Sequence, residues 1–310
     1  MELIRGLRNL APSRRGSIVT IGNFDGVHRA HQAIVSKVVQ LARRGGQEAV
    51  VVTFEPLPHE YFAPHADVAR LTSLREKYEL IARLGIDRLV CLRFGPELAQ
   101  MPAEAFVRRL LVEGLAAVHV LVGDDFHFGR ARTGNLTTLA EAGRRDGFTV
   151  EPTPTIEHAG IRISSTQIRA HLGAGRIDEA ADLLGRAYHL SGRVMYGDRV
   201  GRTLGFPTAN LGLGRRRVAP RGVFAVWVHG VAARPWPGVT NVGVRPTVAG
   251  RRLTVETHLL DFSGELYGRR IAVEFARHIR GEQRFESLEA LQRQIDRDAT
   301  SAREQLLTPE

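Results

Sequence analysis

Two stretches of this chain concentrate residue types suited to phosphate chemistry. The first is Gly22-Asn23-Phe24-Asp25-Gly26-Val27-His28-Arg29-Ala30-His31. A glycine-rich turn entering a helix offers unpaired backbone N–H groups and the positive end of the helix dipole, and both favour phosphate. His28 and His31 are three apart and share one face of the first turn. Two imidazoles beside a triphosphate can donate hydrogen bonds to a pentavalent α-phosphate, stabilising charge that develops only in the transition state. Taken alone, an H-x-x-H pair also fits an ordinary surface face or two zinc ligands. H-E-x-x-H is absent, however, and no further ligand is close in sequence.

Two later segments suit the same nucleotide. Val122-Gly123-Asp124-Asp125-Phe126-His127-Phe128-Gly129 follows a strand pattern, at the end where substrates bind in parallel sheets. Ile163-Ser164-Ser165-Thr166-Gln167-Ile168-Arg169 sets consecutive hydroxyls before a helix, with a guanidinium nearby. Ser164-Ser165-Thr166 by itself reads equally well as a helix cap.

The second stretch is Gly197-Asp198-Arg199-Val200-Gly201-Arg202-Thr203-Leu204-Gly205-Phe206-Pro207-Thr208-Ala209-Asn210. Its glycines let backbone approach a phosphate chain, and Arg202 adds charge. Thr208 and Asn210 offer neutral oxygen ligands suited to Mg²⁺. A plain turn between strands is the alternative. Further on, alternation in Leu253-Thr254-Val255-Glu256-Thr257-His258-Leu259 puts Leu253, Val255, Thr257 and Leu259 on one face and Glu256 on the other. A carboxylate there can take a proton from a hydroxyl attacking a γ-phosphate. It can also be a solvent-facing glutamate.

The elements that must position these residues differ between the two halves. Strand runs at Ser17–Ile21, Ala49–Phe54, Arg88–Leu92 and Val118–Val122 alternate with helical patterns. The helices are expected from Ile34 to Gly45-Gly46, over Leu74–Leu84, from Pro102 in a first turn to about Glu113, and over Leu136–Arg145. That alternation predicts a parallel sheet covered on both faces. Past about residue 186, short strand runs lie between glycines and prolines: His189–Tyr196, Val223–Val228, Leu253–Leu260 and Ile271–Phe275. They predict an antiparallel barrel. Ser287 then caps a closing helix with the stripe Leu288, Leu291, Ile295, Ala299, Ala302 and Leu306. The segment Ala170–Tyr188 reads as helical and joins the parts.

The order G-N-F-D-G-V-H-x-x-H, V-G-D-D-F-x-F-G and I-S-S-T-x-I-R resembles the FMN adenylyltransferase domain of bacterial bifunctional FAD synthetases, within the H-x-G-H nucleotidyltransferases. The resemblance implies a Rossmann-like α/β domain over residues 1–186 that joins FMN to the adenylyl group of ATP, with Mg²⁺. It implies that Gly22, Asn23, Phe24, Asp25, His28 and His31 line the triphosphate. Asp125 falls at the nucleotide-contact position, and Ser164, Ser165, Thr166 and Arg169 in the phosphate segment. Two positions depart from the pattern: Ala30 replaces a glycine, and Leu57 replaces a histidine in Phe54-Glu55-Pro56-Leu57-Pro58.

G-x-x-x-G-R-x-L-G-F-P-T-A-N, Asn241-Val242-Gly243-Val244-Arg245-Pro246-Thr247, V-E-T-H-L-L-D-F, Leu266-Tyr267-Gly268 and Arg280-Gly281-Glu282-Gln283-Arg284-Phe285 look like the riboflavin kinase domain. The likeness implies a six-stranded antiparallel barrel with a C-terminal helix over residues 187–310. It places ATP on Gly201, Arg202, Gly205, Pro207, Thr208 and Asn210, and Mg²⁺ on Thr208 and Asn210. Glu256 becomes general base on the ribityl 5′-hydroxyl, and Arg280, Glu282 and Phe285 adjoin the flavin. ATP, Mg²⁺ and the flavins riboflavin, FMN and FAD are therefore the expected small molecules.

Composition bounds the rest. The 310 residues suffice for two domains, and 43% hydrophobic with 25% charged is ordinary globular composition. The net charge of +10 raises the question of a nucleic-acid partner. The basic residues are scattered, nearly all are arginine, and no readout motif accompanies them, so none is expected. No run approaches the ~18 apolar residues of a membrane span. The opening Met1-Glu2-Leu3-Ile4-Arg5-Gly6 lacks a signal-peptide core. A cytoplasmic location is expected. The single cysteine, Cys91, permits no internal disulfide and reads as a small core residue.

Overall fold

The β-branched runs of the first half form a six-stranded parallel sheet. A computed structural model describes residues 1–158, 160–197, 205–214, 216–247 and 250–307. By internal contacts it divides into two units, one holding Met1–Val68 and Thr72–Ser164, the other Ala69–Leu71 and Ser165–Glu310.

In the first unit the strands are β1 (Glu2–Arg5), β2 (Ser17–Ile21), β3 (Glu48–Glu55), β4 (Arg88–Arg93), β5 (Ala117–Gly123) and β6 (Thr149–Thr153). Their spatial order is β1-β4-β3-β2-β5-β6, all parallel. The helices are α1 (Arg29–Gly45), α2 (Pro58–Phe62), α3 (Leu74–Ala82), α4 (Pro96–Ala99), α5 (Ala103–Phe106) and α6 (Leu136–Asp146). A π-helical stretch, Val107–Gly114, continues α5. Neighbouring strand residues go to opposite cores. Val50, Val52, Val90 and Val120 pack in one apolar cluster, and Val51, Leu89 and Leu121 pack in the other with Val35, Val38 and Ala42 of α1. Both faces are therefore covered, as a parallel sheet requires. Cys91 is buried in β4.

The expected strands and crossover helices of this half are present. Pro102 is the N-cap before α5, not a first-turn residue, because its ψ of 149° is extended. The edge strands β1 and β6 escape the pattern. β1 is four residues with charged ends, and β6 carries Pro152, which only an edge tolerates. A small hairpin, β7 (Glu157–His158) with β8 (Ile161–Arg162), follows.

The second unit opens with α7 (Ser165–Gly173) and α8 (Ile177–Leu184), parted near Gly175, whose φ of +74° is left-handed. The helical reading of Ala170–Tyr188 thus resolves into two helices, the first of which begins earlier. Then β9 (His189–Met195), β10 (Thr208–Gly212), β11 (Gly222–His229), β12 (Trp236–Thr247), β13 (Gly250–Leu259) and β14 (Arg270–Arg280) close into an antiparallel barrel in the order β10-β13-β12-β11-β14-β9. Helix α9 (Leu288–Leu307) packs Ala299 and Ala302 on Val223, Ala225 and Val239. The Ser287 hydroxyl accepts from the Ala290 amide, as an N-cap does. Strands β10 and β12 escape the sequence pattern. The first is the P-T-A-N ligand segment itself, and the second starts at Trp236-Pro237-Gly238, which reads as a turn.

Among the described residues no helix is long and apolar enough to cross a membrane.

Candidate functional site

In the first unit β2 delivers the chain to the sheet's carboxyl end, where Gly22 to Val27 turn it into α1. Phe24 and Val27 adopt left-handed backbone, φ 46° and 43°. That conformation is costly for side chains of this size. Burial holds it, since Phe24 and Val27 are 2% and 1% exposed.

His28 is the N-cap of α1, and its Nδ1 accepts from the His31 amide at 3.4 Å. Accepting at Nδ1 puts the proton of a neutral ring on Nε2. The His28 and His31 rings stack, centroids 3.6 Å apart and planes 17° apart, and the Phe24 ring lies 5.0 Å from His31. His31 Nδ1 is buried without a hydrogen-bond partner. Burial, then the charges of His28 and Lys77, hold the His31 imidazole well below its usual pKa, so it is neutral near pH 7.

Asp25 is buried, and its carboxylate accepts from the Thr72 amide at 3.1 Å and the Thr72 hydroxyl at 3.4 Å. The same hydroxyl accepts from the Gly26 amide at 3.0 Å. Asp25 thus braces the loop against the segment before α3. Lys77 of α3 is also buried and donates to Asn23 O at 2.6 Å and Thr53 Oγ1 at 3.0 Å. Asn23 is exposed and Gly22 partly so.

Asp125 lies in the turn after β5, exposed, and pairs with Arg162 at 3.0 Å. Ser164 ends the first unit, whereas Ser165, Thr166 and Arg169 lie on α7 in the second, where Arg169 Nε donates to Ala69 O at 2.6 Å. Ala30 is the partly exposed second residue of α1. Leu57 is 1% exposed and fills the core beside α2, so this side chain serves packing.

In the second unit the barrel register assembles a polar row. Glu256 pairs with Asn210 on one side and with Asn241 on the other. Residues directly opposite on neighbouring strands share a face. The alternate face turns inward: Thr257 and Thr240 are fully buried and joined hydroxyl to hydroxyl at 2.9 Å. The alternation expected around Glu256 is present, with Val255, Thr257 and Leu259 buried and Glu256 half-buried opposite them.

Thr208 and Asn210 line a cavity of about 500 Å³ together with Tyr196, Pro207 and Tyr267. Tyr196 and Tyr267 stack at 4.1 Å. Pro207 O receives His258 Nδ1 at 3.0 Å, and Gly205 holds φ +84° just before. Gly201 and Arg202 lie outside the described residues. The donors facing the cavity, a hydroxyl and an amide oxygen with a carboxylate one strand away, are hard oxygen ligands and fit Mg²⁺ carried on phosphate.

Arg280, at the end of β14, donates three hydrogen bonds to Asp298 of α9, two from Nε and one from Nη2, at 2.7–3.1 Å, and one to Gly281 O. Its guanidinium also sits 5.7 Å from the Phe285 ring centre. Glu282 is exposed, and its carboxylate accepts from the Val244 amide at 3.3 Å. Sequence reasoning left Asn241, Tyr196, Tyr267 and Lys77 out of the sites. Asn241 and Tyr267 stood in quoted motifs, but Tyr196 and Lys77 carried no signal without the fold.

Residues 10–167 match the FAD synthetase family model and residues 184–306 the riboflavin kinase model. A bifunctional riboflavin kinase/FMN adenylyltransferase of Pseudomonas fluorescens is 49% identical, the match covering 98% of this chain and 97% of that protein. One of the same description from Escherichia coli (strain K12) is 47% identical with the same coverage. A crystal structure described as a macrolide-efflux protein from Streptococcus pneumoniae superposes with a TM-score of 0.83 at 27% identity, covering 98% of this chain and 99% of that one.

Proposed function

The chain belongs to the bifunctional riboflavin kinase/FMN adenylyltransferase family, and from that premise we propose that it makes FMN from riboflavin and then FAD from FMN, spending one ATP at each step. The observation that carries this reading is the 49% identity running through both units over 98% of the chain. Riboflavin, FMN and ATP are its small-molecule substrates. We assign adenylyl transfer to residues 1–186 and phosphorylation to residues 187–310, and a cytoplasmic location, where ATP is supplied.

In the kinase reaction the Glu256 carboxylate takes the proton of the ribityl 5′-hydroxyl as that oxygen attacks the γ-phosphorus. The bond to the bridging oxygen breaks, leaving FMN and ADP. Asn210 and Asn241 flank Glu256 in register and orient the hydroxyl and its phosphate acceptor. Gly201, Arg202, Gly205 and Pro207 hold ATP, and Arg280, Glu282 and Phe285 border the flavin. Thr208 and Asn210 would hold Mg²⁺, which would offset the charge of the transferring phosphoryl group.

In the second reaction an FMN phosphate oxygen attacks the α-phosphorus of ATP and pyrophosphate leaves. His28 presents Nε2–H to the developing equatorial charge. His31, neutral and with an unpartnered buried Nδ1, gains a partner when phosphate arrives. Gly22, Asn23, Phe24 and Asp25 shape the triphosphate loop, with Asp125 at the nucleotide and Ser164, Ser165, Thr166 and Arg169 at phosphate.

Chromatography of products after mixing the protein with riboflavin, ATP and Mg²⁺ tests the reading. FMN should appear first and FAD second, with ADP and pyrophosphate released in step. Unchanged riboflavin would sink the kinase assignment. FMN that accumulates without FAD would sink the other.

A further inference from the structure

We propose that Lys77 is a positioning residue for adenylyl transfer, holding the Asn23–Phe24 peptide so that the Phe24 N–H faces the ATP triphosphate. The inference rests on the reading of Gly22 to His31 as the triphosphate loop.

All but two of the 43 basic residues are arginine, yet the cation buried beneath this loop is a lysine. Lys77 is 2% exposed. Burying an amino group is costly unless it is hydrogen-bonded. Here Nζ donates to Asn23 O at 2.6 Å and to Thr53 Oγ1 at 3.0 Å, and Thr53 Oγ1 itself donates to Asn23 O at 3.2 Å. One backbone carbonyl thus receives two donors from the interior, one from α3 and one from β3.

A trans peptide is planar, so its C=O and N–H point in opposite directions. The Asn23–Phe24 bond is trans, Glu55–Pro56 being the cis peptide among the described residues. With Asn23 O drawn inward, the Phe24 N–H is turned outward, on the exposed side of the loop. Among the described residues neither the Asn23 nor the Phe24 amide has a hydrogen-bond partner. Charge-assisted donation to the carbonyl also polarises the peptide and makes its N–H a stronger donor. Phe24 holds left-handed backbone at φ 46°, a conformation a non-glycine keeps only when its surroundings impose it. Lys77 and Thr53 on the preceding carbonyl, the buried Phe24 ring and the Asp25–Thr72 brace all bear on it. The Lys77 charge also reaches His31, where it adds to burial and His28 in keeping the imidazole neutral.

The test measures FAD formation from supplied FMN and ATP for Lys77→Met, Lys77→Arg and Thr53→Val, with FMN formation from riboflavin as control in the same samples. For Lys77→Met the ATP KM should rise at least fivefold and kcat fall at least tenfold, with the FMN KM within twofold and the kinase rate unchanged. Lys77→Arg should recover part of the loss. Thr53→Val, which removes one of the two donors without changing shape, should show the same ATP-specific effect at a few-fold. By NMR, the His31 imidazole in Lys77→Met should titrate at higher pH than in the wild type. Unaltered ATP kinetics in Lys77→Met, or equal losses for ATP and FMN with an unmoved His31 titration, would overturn the proposal. Where Lys77→Met does not fold, unaltered ATP kinetics in Thr53→Val would do so. A wild-type protein that forms no FAD would instead refute the reading of the loop.

Discussion

The rings of His28 and His31 lie nearly parallel, 3.6 Å apart, with the His31 amide bonded to His28 Nδ1. The two histidines are therefore one unit: the first caps the helix that carries the second. Removing His28 takes away a cap, a preorganised donor and a stacking partner together. In His28→Ala, FAD formation from FMN should fall about a hundredfold, the ~3 kcal/mol that one transition-state donor typically supplies. FMN formation from riboflavin should continue. Quantifying both products in one reaction separates these outcomes, and an unchanged FAD rate would remove His28 from the chemistry.

The depressed His31 pKa has a consequence for stability. The folded protein keeps this imidazole neutral, chiefly through burial, while the unfolded chain protonates it near pH 6.5. Above pH 6.5 neither state binds the proton, and His31 has no pH effect. Below 6.5 the unfolded state gains a proton that the fold refuses, so stability declines with falling pH, by at most about 1.4 kcal/mol per pH unit from this residue. His31→Gln should remove that contribution. Urea unfolding of both proteins between pH 7.5 and 5 should give curves that converge as pH falls below 6.5. Parallel curves would contradict a neutral buried His31.

Asp25 stands in the proposed phosphate loop, yet its carboxylate faces inward to the Thr72 amide and hydroxyl. Asp25→Ala strands those donors in the interior. The cost of leaving buried donors unsatisfied is about 2 kcal/mol. The loop should loosen with it, so FAD formation falls while the kinase reaction holds. Thermal unfolding checks the first part and paired activity assays the second. A stability unchanged within 0.5 kcal/mol, roughly the scatter of neutral surface substitutions, would show that Thr72 finds other partners.

The glycines of the Gly22–His31 loop, the histidine pair and the strand-helix alternation were legible because each is a local signal: a turn, a spacing, a period. The row Asn210–Glu256–Asn241 was only half legible. Alternation along β13 places Glu256 on a face, but which residues oppose it depends on register between strands distant in sequence. Lys77 was invisible for the same reason. Its spacing marks it as an ordinary helix residue, and its role comes from Thr53 and Asn23, brought to it by sheet order. The edge strands were missed because an edge needs little apolar residue, as the four-residue β1 and Pro152 in β6 show.

The polar row makes a specific demand if it is the kinase site proposed for the barrel. Glu256→Gln keeps shape and hydrogen bonding but cannot accept a proton. FMN formation should fall by about 10²–10⁴-fold, the usual worth of a general base, while FAD formation from supplied FMN proceeds. Asn241→Ala leaves the base in place and removes one neighbour, so a smaller loss is expected, about tenfold. Steady-state rates on riboflavin discriminate the two. Equal losses for both reactions in Glu256→Gln, with the fold intact by circular dichroism, would show that the sites are not separate.

Arg280 and Asp298 join the last barrel strand to α9 through a bidentate pair whose side chains are 16% and 4% exposed. Gln294 donates to the same carboxylate at 2.8 Å. Truncating one partner of a buried pair leaves the other charge uncompensated, at a typical cost of 3–5 kcal/mol. Asp298→Ala should therefore lower the unfolding free energy by about 3 kcal/mol and free the guanidinium from α9. Because Arg280 also bonds Gly281 O and meets the Phe285 ring, the segment proposed to border the flavin should shift with it. The riboflavin KM should rise several-fold while the ATP KM of adenylyl transfer stays constant. Arg280→Lys keeps the charge but loses the planar fork, and should recover less than half of the stability. Urea titrations of the three proteins, read beside riboflavin saturation curves, measure both effects. A stable Asp298→Ala protein with an unaltered riboflavin KM would remove the pair from the support of that segment.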